Sequence, residues 1–94
     1  MAYAIILAPE AVQDLNDLKA NVRAQVREGI ETHLHEPGKA SRSRIKRLRR
    51  MSQPQYRLRL GDVRVFYDVT GDRVEVLAIV SKSEAARWLA KHGK

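Results

Sequence analysis

Cysteine is absent from the 94-residue sequence, which excludes disulfide staples, thiol nucleophiles and cysteine-ligated metal sites. No apolar run approaches the roughly 18 residues of a membrane span, so no membrane partner is expected. The N-terminal AYAIILA is too short for a signal-peptide core and lacks the basic residues that precede one. Glycine-rich phosphate loops, nucleophile elbows and paired catalytic carboxylates are also missing. His33, His35 and His92 have no partners at metal-ligand spacing, so neither a metal nor a cofactor is expected. Repeats and low-complexity tracts are lacking too. What remains is one small domain, residues 1–94, expected in the cytoplasm. Its 44% hydrophobic content is ordinary for a folded chain.

Charge of one sign is what the chain has in excess. There are 18 Lys and Arg against 11 Asp and Glu, a net charge of +7. Between Lys39 and Arg64 stand ten basic residues and one acid, Asp62, so this span carries +9 and the rest −2. Arg42, Arg44, Lys46, Arg47, Arg49 and Arg50 crowd its first half; Arg57, Arg59 and Arg64 follow. A cationic stripe on a nearly neutral body points to nucleic acid or another polyanion. A solubilising surface, or an arm for an acidic protein partner, would give the same composition.

Hydropathy patterning places these charges on elements. Tyr3 to Leu7 reads as a buried strand. Pro9 and Glu10 suit the start of a helix whose stripe is Ala11, Leu15 and Leu18. Asn21 restarts a second helix, with stripe Val22, Val26, Ile30 and Leu34, that Pro37 and Gly38 end. Residues Lys39 to Gln55 read as a basic connector, a loop with at most a short turn. Three alternating strands follow, from Tyr56, Val63 and Val74, joined by Gly61-Asp62 and Gly71-Asp72, the residue types of two-residue hairpin turns. A final helix from about Lys82 to Lys91 opens with Ser81-Lys82-Ser83-Glu84, a capping-box pattern. The order β-α-α-β-β-β-α predicts an α+β domain. Its mainly antiparallel four-stranded sheet has helices packed on one face and a short C-terminal helix.

The turns also predict register. Leu60 should face Val63, Arg59 face Arg64, and Leu58 face Val65; on the next hairpin Tyr67 should face Val76, Val65 face Ala78 and Arg64 face Ile79. One face is then the core, from Tyr56 and Leu58 to Ala78 and Val80. The other gathers Arg57, Arg59 and Arg64 beside Phe66, Leu77 and Ile79. Like charges opposite one another across a ladder destabilise it by a few tenths to about 1 kcal/mol. An anion among them would reverse the sign, because guanidinium binds phosphate bidentately. Three solvated arginines on an open face are the plain structural alternative. The start of the last helix offers further N–H donors near Lys82 and Ser83. Trp88 suits either base stacking or core anchoring.

These residues resemble the RelE/ParE superfamily of toxin–antitoxin toxins, over essentially the whole chain. The segment YRLRLGDVRVFYDVTGDRVEVLAIVSKSEAARWL and the upstream KRLRRM carry the likeness. The family core Y-[KR]-[LIV]-[KR]-x-G-x-x-R-[LV]-x-Y runs here from Tyr56 to Tyr67. The resemblance implies a ribosome-dependent mRNA endoribonuclease, held inactive by a cognate antitoxin protein, or a gyrase poison of the ParE kind without nuclease chemistry. A degenerate toxin that only binds antitoxin and nucleic acid is a third reading. It implies a catalytic surface of Arg57, Arg59 and Arg64, joined by Lys82, Ser83 and Trp88 near the C-terminus. Arg42, Arg44, Lys46, Arg47, Arg49 and Arg50 are implied as the grip on ribosome and mRNA. Ser83 stands where the family pattern has Arg, and Trp88 or a neighbour where it has Tyr.

Overall fold

Residues 2–36 and 43–94 are described by the computed structural model. In chain order the elements are β1 (Ala4–Leu7), α1 (Pro9–Asn16), α2 (Ala20–Leu34), β2 (Ile45–Arg47), β3 (Tyr56–Leu60), β4 (Val63–Thr70), β5 (Arg73–Ser81) and α3 (Lys82–His92). The sheet runs β1-β5-β4-β3-β2 and is antiparallel except for the parallel β1–β5 pair. The α+β architecture and element order are as expected, with one strand more. Ile45–Arg47 lies within the anticipated loop but pairs with β3. Three residues are too few for alternation to show, and the open edge of β3 supplies the partner that local pattern cannot. Pro37, Gly38 and Arg42 lie outside the described residues.

Gly61 and Gly71 set the two hairpins. Their φ angles of 59° and 60° are left-handed values that residues with a Cβ avoid, and the Asp after each glycine has no positive φ. Glycine first in a two-residue loop is the type II′ pattern. The β3–β4 register is the expected one, from Leu60 opposite Val63 to Tyr56 opposite Tyr67. The β4–β5 register holds from Thr70–Arg73 to Tyr67–Val76 and then slips, leaving Leu77 unpaired. Beyond this bulge Phe66 faces Ala78, Val65 faces Ile79, and Arg64 faces Val80. One inserted residue exchanges the faces of all that follow it. Ile79 therefore joins the core, while Ala78 and Val80 move to the arginine side, the reverse of the sequence expectation.

The bulge falls where β1 stops. β1 bonds as far as Ala8 N–H to Val76 O, 2.8 Å, and then the chain turns into α1. Past that point the Ile79 amide on the bare edge of β5 donates to Asp14 Oδ2 of α1 at 2.9 Å. β1 is an edge strand with Ala4 and Ile6 exposed, not the buried strand that its apolar run suggested. Among the described residues no strand covers its outer side.

Ala11 and Leu15 of α1, with Val26, Ile30 and Leu34 of α2, pack on Leu58, Val65, Tyr67, Val74, Val76 and Ile79. Full burial of each large aliphatic side chain is worth about 1.5–3 kcal/mol. Gly29 brings α2 so close to β3 that a Cβ there would lie 2.7 Å from a Leu60 methyl.

α3 packs on the opposite face, a correction to helices on one side only. Trp88 stacks on Phe66 with centroids 4.9 Å apart and planes 6° from parallel. The start of α3 is tied by Lys82 N–H to Asp62 O, 2.7 Å; just past its end, Lys94 N–H bonds Gln53 O, 2.9 Å. Phe66, out of reach of the α1–α2 hairpin, supplies the apolar ground. β5 passes into α3 with no intervening loop, so the helix must fold back across the sheet.

Asp14→Ala should lower stability by about 1–2 kcal/mol in urea unfolding, because it orphans the Ile79 amide; Asp14→Asn, which keeps an acceptor, should recover most of the loss.

Candidate functional site

Three guanidinium groups meet on the α3 side of the sheet. Arg59 and Arg64 are directly opposed on β3 and β4, and Arg57 is opposite Phe66. Arg64 is 8% exposed, with Nη1 donating to Gly61 O at 2.7 Å and to Val63 O at 3.1 Å. It braces the β3–β4 turn and fixes its own guanidinium against the sheet. Arg59 is exposed. Arg57 is half-buried, and its Nε is buried with no hydrogen-bond partner. Burial first, then the charges of Arg64 and Arg59, lower its pKa. Asp68, the buried carboxylate farther along β4, is already occupied. It accepts from Gln53 Nε2 at 2.8 Å and from Gln55 N–H at 2.7 Å. Among the described residues none of the three arginines pairs with a carboxylate.

Chemically this arrangement is suited to receive an anion. An orphaned buried N–H costs about 1–3 kcal/mol until an acceptor arrives, and opposed like charges add to that cost. Anionic oxygens at the two positions would relieve both. Arginine stays protonated, so the cluster can bind and stabilise negative charge but cannot remove a proton.

α3 brings the remaining predicted residues to this face in a different manner. Lys82 and Ser83 are exposed at the β5–α3 junction, beside the turn that Arg64 braces. The capping box does not close. Ser81 makes no side-chain cap, its Oγ lying 3.1 Å from Ser83 Oγ, and Glu84 pairs with Arg87 at 3.2 Å. Trp88 is held between Phe66 and His92, the latter 5.2 Å away and tilted by 35°. Its ring anchors α3. Tyr67 points into the core, where burial and then Tyr56 push its phenol far above the usual range.

The connector divides between faces. Lys46 is opposite Arg57 and so shares the arginine face. Arg47 goes the other way: it lies over the Tyr56 ring at 5.0 Å and donates to Tyr56 Oη at 3.1 Å. Arg44 lines a groove with Val22, Val26 and Leu60 on the helical side. There its charge, after burial, lowers the pKa of His33. Arg49 and Arg50 are exposed beside Leu48 and Met51. Sequence reasoning grouped all of these as one grip. The pairing of Ile45–Arg47 with β3 divides them, and no local pattern in the sequence announces it.

A family model described as the ParE toxin of type II toxin–antitoxin systems matches residues 5–86. The chain belongs to the RelE/ParE superfamily. No curated protein matches it by sequence, but solved structures share its fold. The toxin–antitoxin complex RelBE2 of Mycobacterium tuberculosis matches at 23% identity and a TM-score of 0.73, over 86% of this chain and 99% of that one. A doubly substituted free RelE from E. coli matches at 25% identity and 0.70, over 96% and 93%. The RelE–RelB complex of Pyrococcus horikoshii matches at 23% and 0.70, over 87% and 97%.

This RelE/ParE protein is thus a toxin of a type II system. Among its described residues no helix is long and apolar enough to cross a membrane. In the toxin the basic pair on β3 and the arginine on β4 stand on one face, whereas Trp88 is committed to packing.

Arg57→Met should stabilise the free toxin by about 0.5–1 kcal/mol, because it removes an orphaned N–H and a like charge. Phosphate should raise the wild-type Tm more than chloride at equal ionic strength, and this difference should vanish in Arg57→Met. His33 has a folded pKa below its unfolded value of about 6.5, so its contribution is complete above that pH and is lost as pH falls. The urea midpoint should drop between about pH 7.5 and 5.5, and drop less in His33→Gln.

Proposed function

We propose that this toxin is a ribosome-dependent mRNA endoribonuclease, and that Arg57, Arg59 and Arg64 are the charges on which cleavage depends. The observation that carries the reading is the buried, unpartnered Nε of Arg57 beside two further guanidinium groups with no carboxylate. In the reaction the 2′-oxygen of one nucleotide attacks the adjacent phosphorus and the 5′-oxygen leaves. The 2′-hydroxyl gives up its proton and the departing 5′-oxygen takes one. As bonds form and break, negative charge grows on the phosphoryl oxygens. Fixed donors that meet that charge in place supply the larger part of such catalysis. Lys82 and Ser83, at the end of the face nearest Arg64, are the proposed polar contacts to the chain being cut. Arg49, Arg50 and Lys46 add attraction to ribosomal RNA and message. The partner in the resting state is an antitoxin whose acidic, initially disordered segment covers these charges.

Primer extension on a translated mRNA tests this. Wild-type toxin should give discrete stops, and Arg59→Ala, an exposed change, should reduce them on the order of 10²-fold without loss of fold by circular dichroism. No cleavage by wild type overturns the reading.

The description of the matching family model favours a second one, a gyrase poison of the ParE kind. Trp88, packed on Phe66 in the region where the family pattern has Tyr at this position or a neighbouring one, agrees with it. Inhibited supercoiling with unaffected translation would decide for that function. Absence of growth arrest without antitoxin would mark a toxin reduced to binding.

A further inference from the structure

We propose that β2 makes Lys46 part of the arginine face, and that the face holds two successive phosphates of single-stranded RNA. One sits at the Arg59–Arg64 pair and one at the Lys46–Arg57 pair. This deepens the ribonuclease reading and rests on it. Cross-strand pairs supply the geometry. Arg59 is opposite Arg64 and Arg57 is opposite Lys46, so the cations fall on two levels, each with two. Within a level, neighbouring strands are about 4.8 Å apart, the reach of two donors onto one phosphate; along β3 the levels are two residues, about 6.8 Å, apart. That is too far for one phosphate and suits adjacent phosphates of an extended strand.

The two levels are bounded differently. At the Arg64 level the guanidinium is fixed by the turn, with Lys82 near by. At the Arg57 level the side toward β4 is filled by Phe66 under Trp88, so access is from β2. Lys46 stands on that side. It is exposed and holds no hydrogen bond or ion pair among the described residues. Its neighbour Arg47 is engaged by Tyr56 on the other face. Composition treats the two as equal cations; the strand gives them different tasks.

The test uses the whole toxin and two non-cleavable probes, 2′-O-methyl UpU with one phosphate and its 5′-phosphorylated form with two, followed by NMR titration at about 50 mM salt. The second phosphate should tighten binding about tenfold in wild type and in Arg47→Gln, but less than twofold in Lys46→Gln. Lys46→Arg should restore the gain. If both probes bind wild type equally, or Lys46→Gln keeps the gain, the two-phosphate site is overturned while the RNA reading stands. If neither probe binds, both fall.

Discussion

Which side of this sheet is packed and which is charged depends on the unpaired residue Leu77 in β5. Before it, β5 faces the helical hairpin with Val74 and Val76; after it, with Ile79. Without the slip Val80 would point into the core and Ile79 would lie on the arginine side. The slip occurs where β1 leaves the sheet, and Asp14 caps the amide exposed there. β1, α1 and the bulge are therefore one device. It closes the apolar face and leaves Phe66 as the large hydrophobic residue on the other. Phe66 in turn seats Trp88, and with it α3, so the charged face is bordered by a helix rather than left open.

Holding three guanidinium groups without counter-charge works against the fold, and the surrounding bonds show how the cost is contained. Arg64 spends one nitrogen on two turn carbonyls, which fixes its position and offsets part of its desolvation. Arg47 is turned away onto Tyr56, whose ring stacks on Tyr67 at 5.3 Å, so that a fifth cation does not join Lys46, Arg57, Arg59 and Arg64. Asp68, the buried carboxylate on β4, is bonded by Gln53 and Gln55 rather than by an arginine. Functional surfaces of this sort retain strain that a structural sheet would remove.

The hairpins and the three converging arginines were legible because they obey local rules. A glycine in a two-residue turn fixes register, and strict alternation carries it along β3 and β4. What escaped was set by distant partners. β2 exists because β3 has an edge to fill, which three residues of Ile45-Lys46-Arg47 do not announce. The slip at Leu77 is a response to the end of β1, some 70 positions earlier in the chain. The placement of α3 follows from Phe66 lacking cover. The Ser81–Glu84 capping pattern had the right spacing, yet each side chain found a nearer partner. Local signals place residues on a face; long-range pairing decides what shares it.

The same arrangement constrains the chemistry. Guanidinium groups at both β3 positions and on β4 give a face that stabilises charge at any physiological pH but exchanges no protons with substrate. Lysine presents a compact, flexible ammonium where arginine presents a planar fork. Two lysines border this face, Lys82 beside the turn and Lys46 across from Arg57, one at each level of the cation ladder. In the proposed reaction the arginines would fix and polarise the phosphates, and proton transfer would fall to other groups, such as Ser83 or those that the RNA and its ribosomal surroundings supply. The proposed reaction therefore asks for a division of labour on this face, with permanent charge at its centre and proton transfer left to other groups.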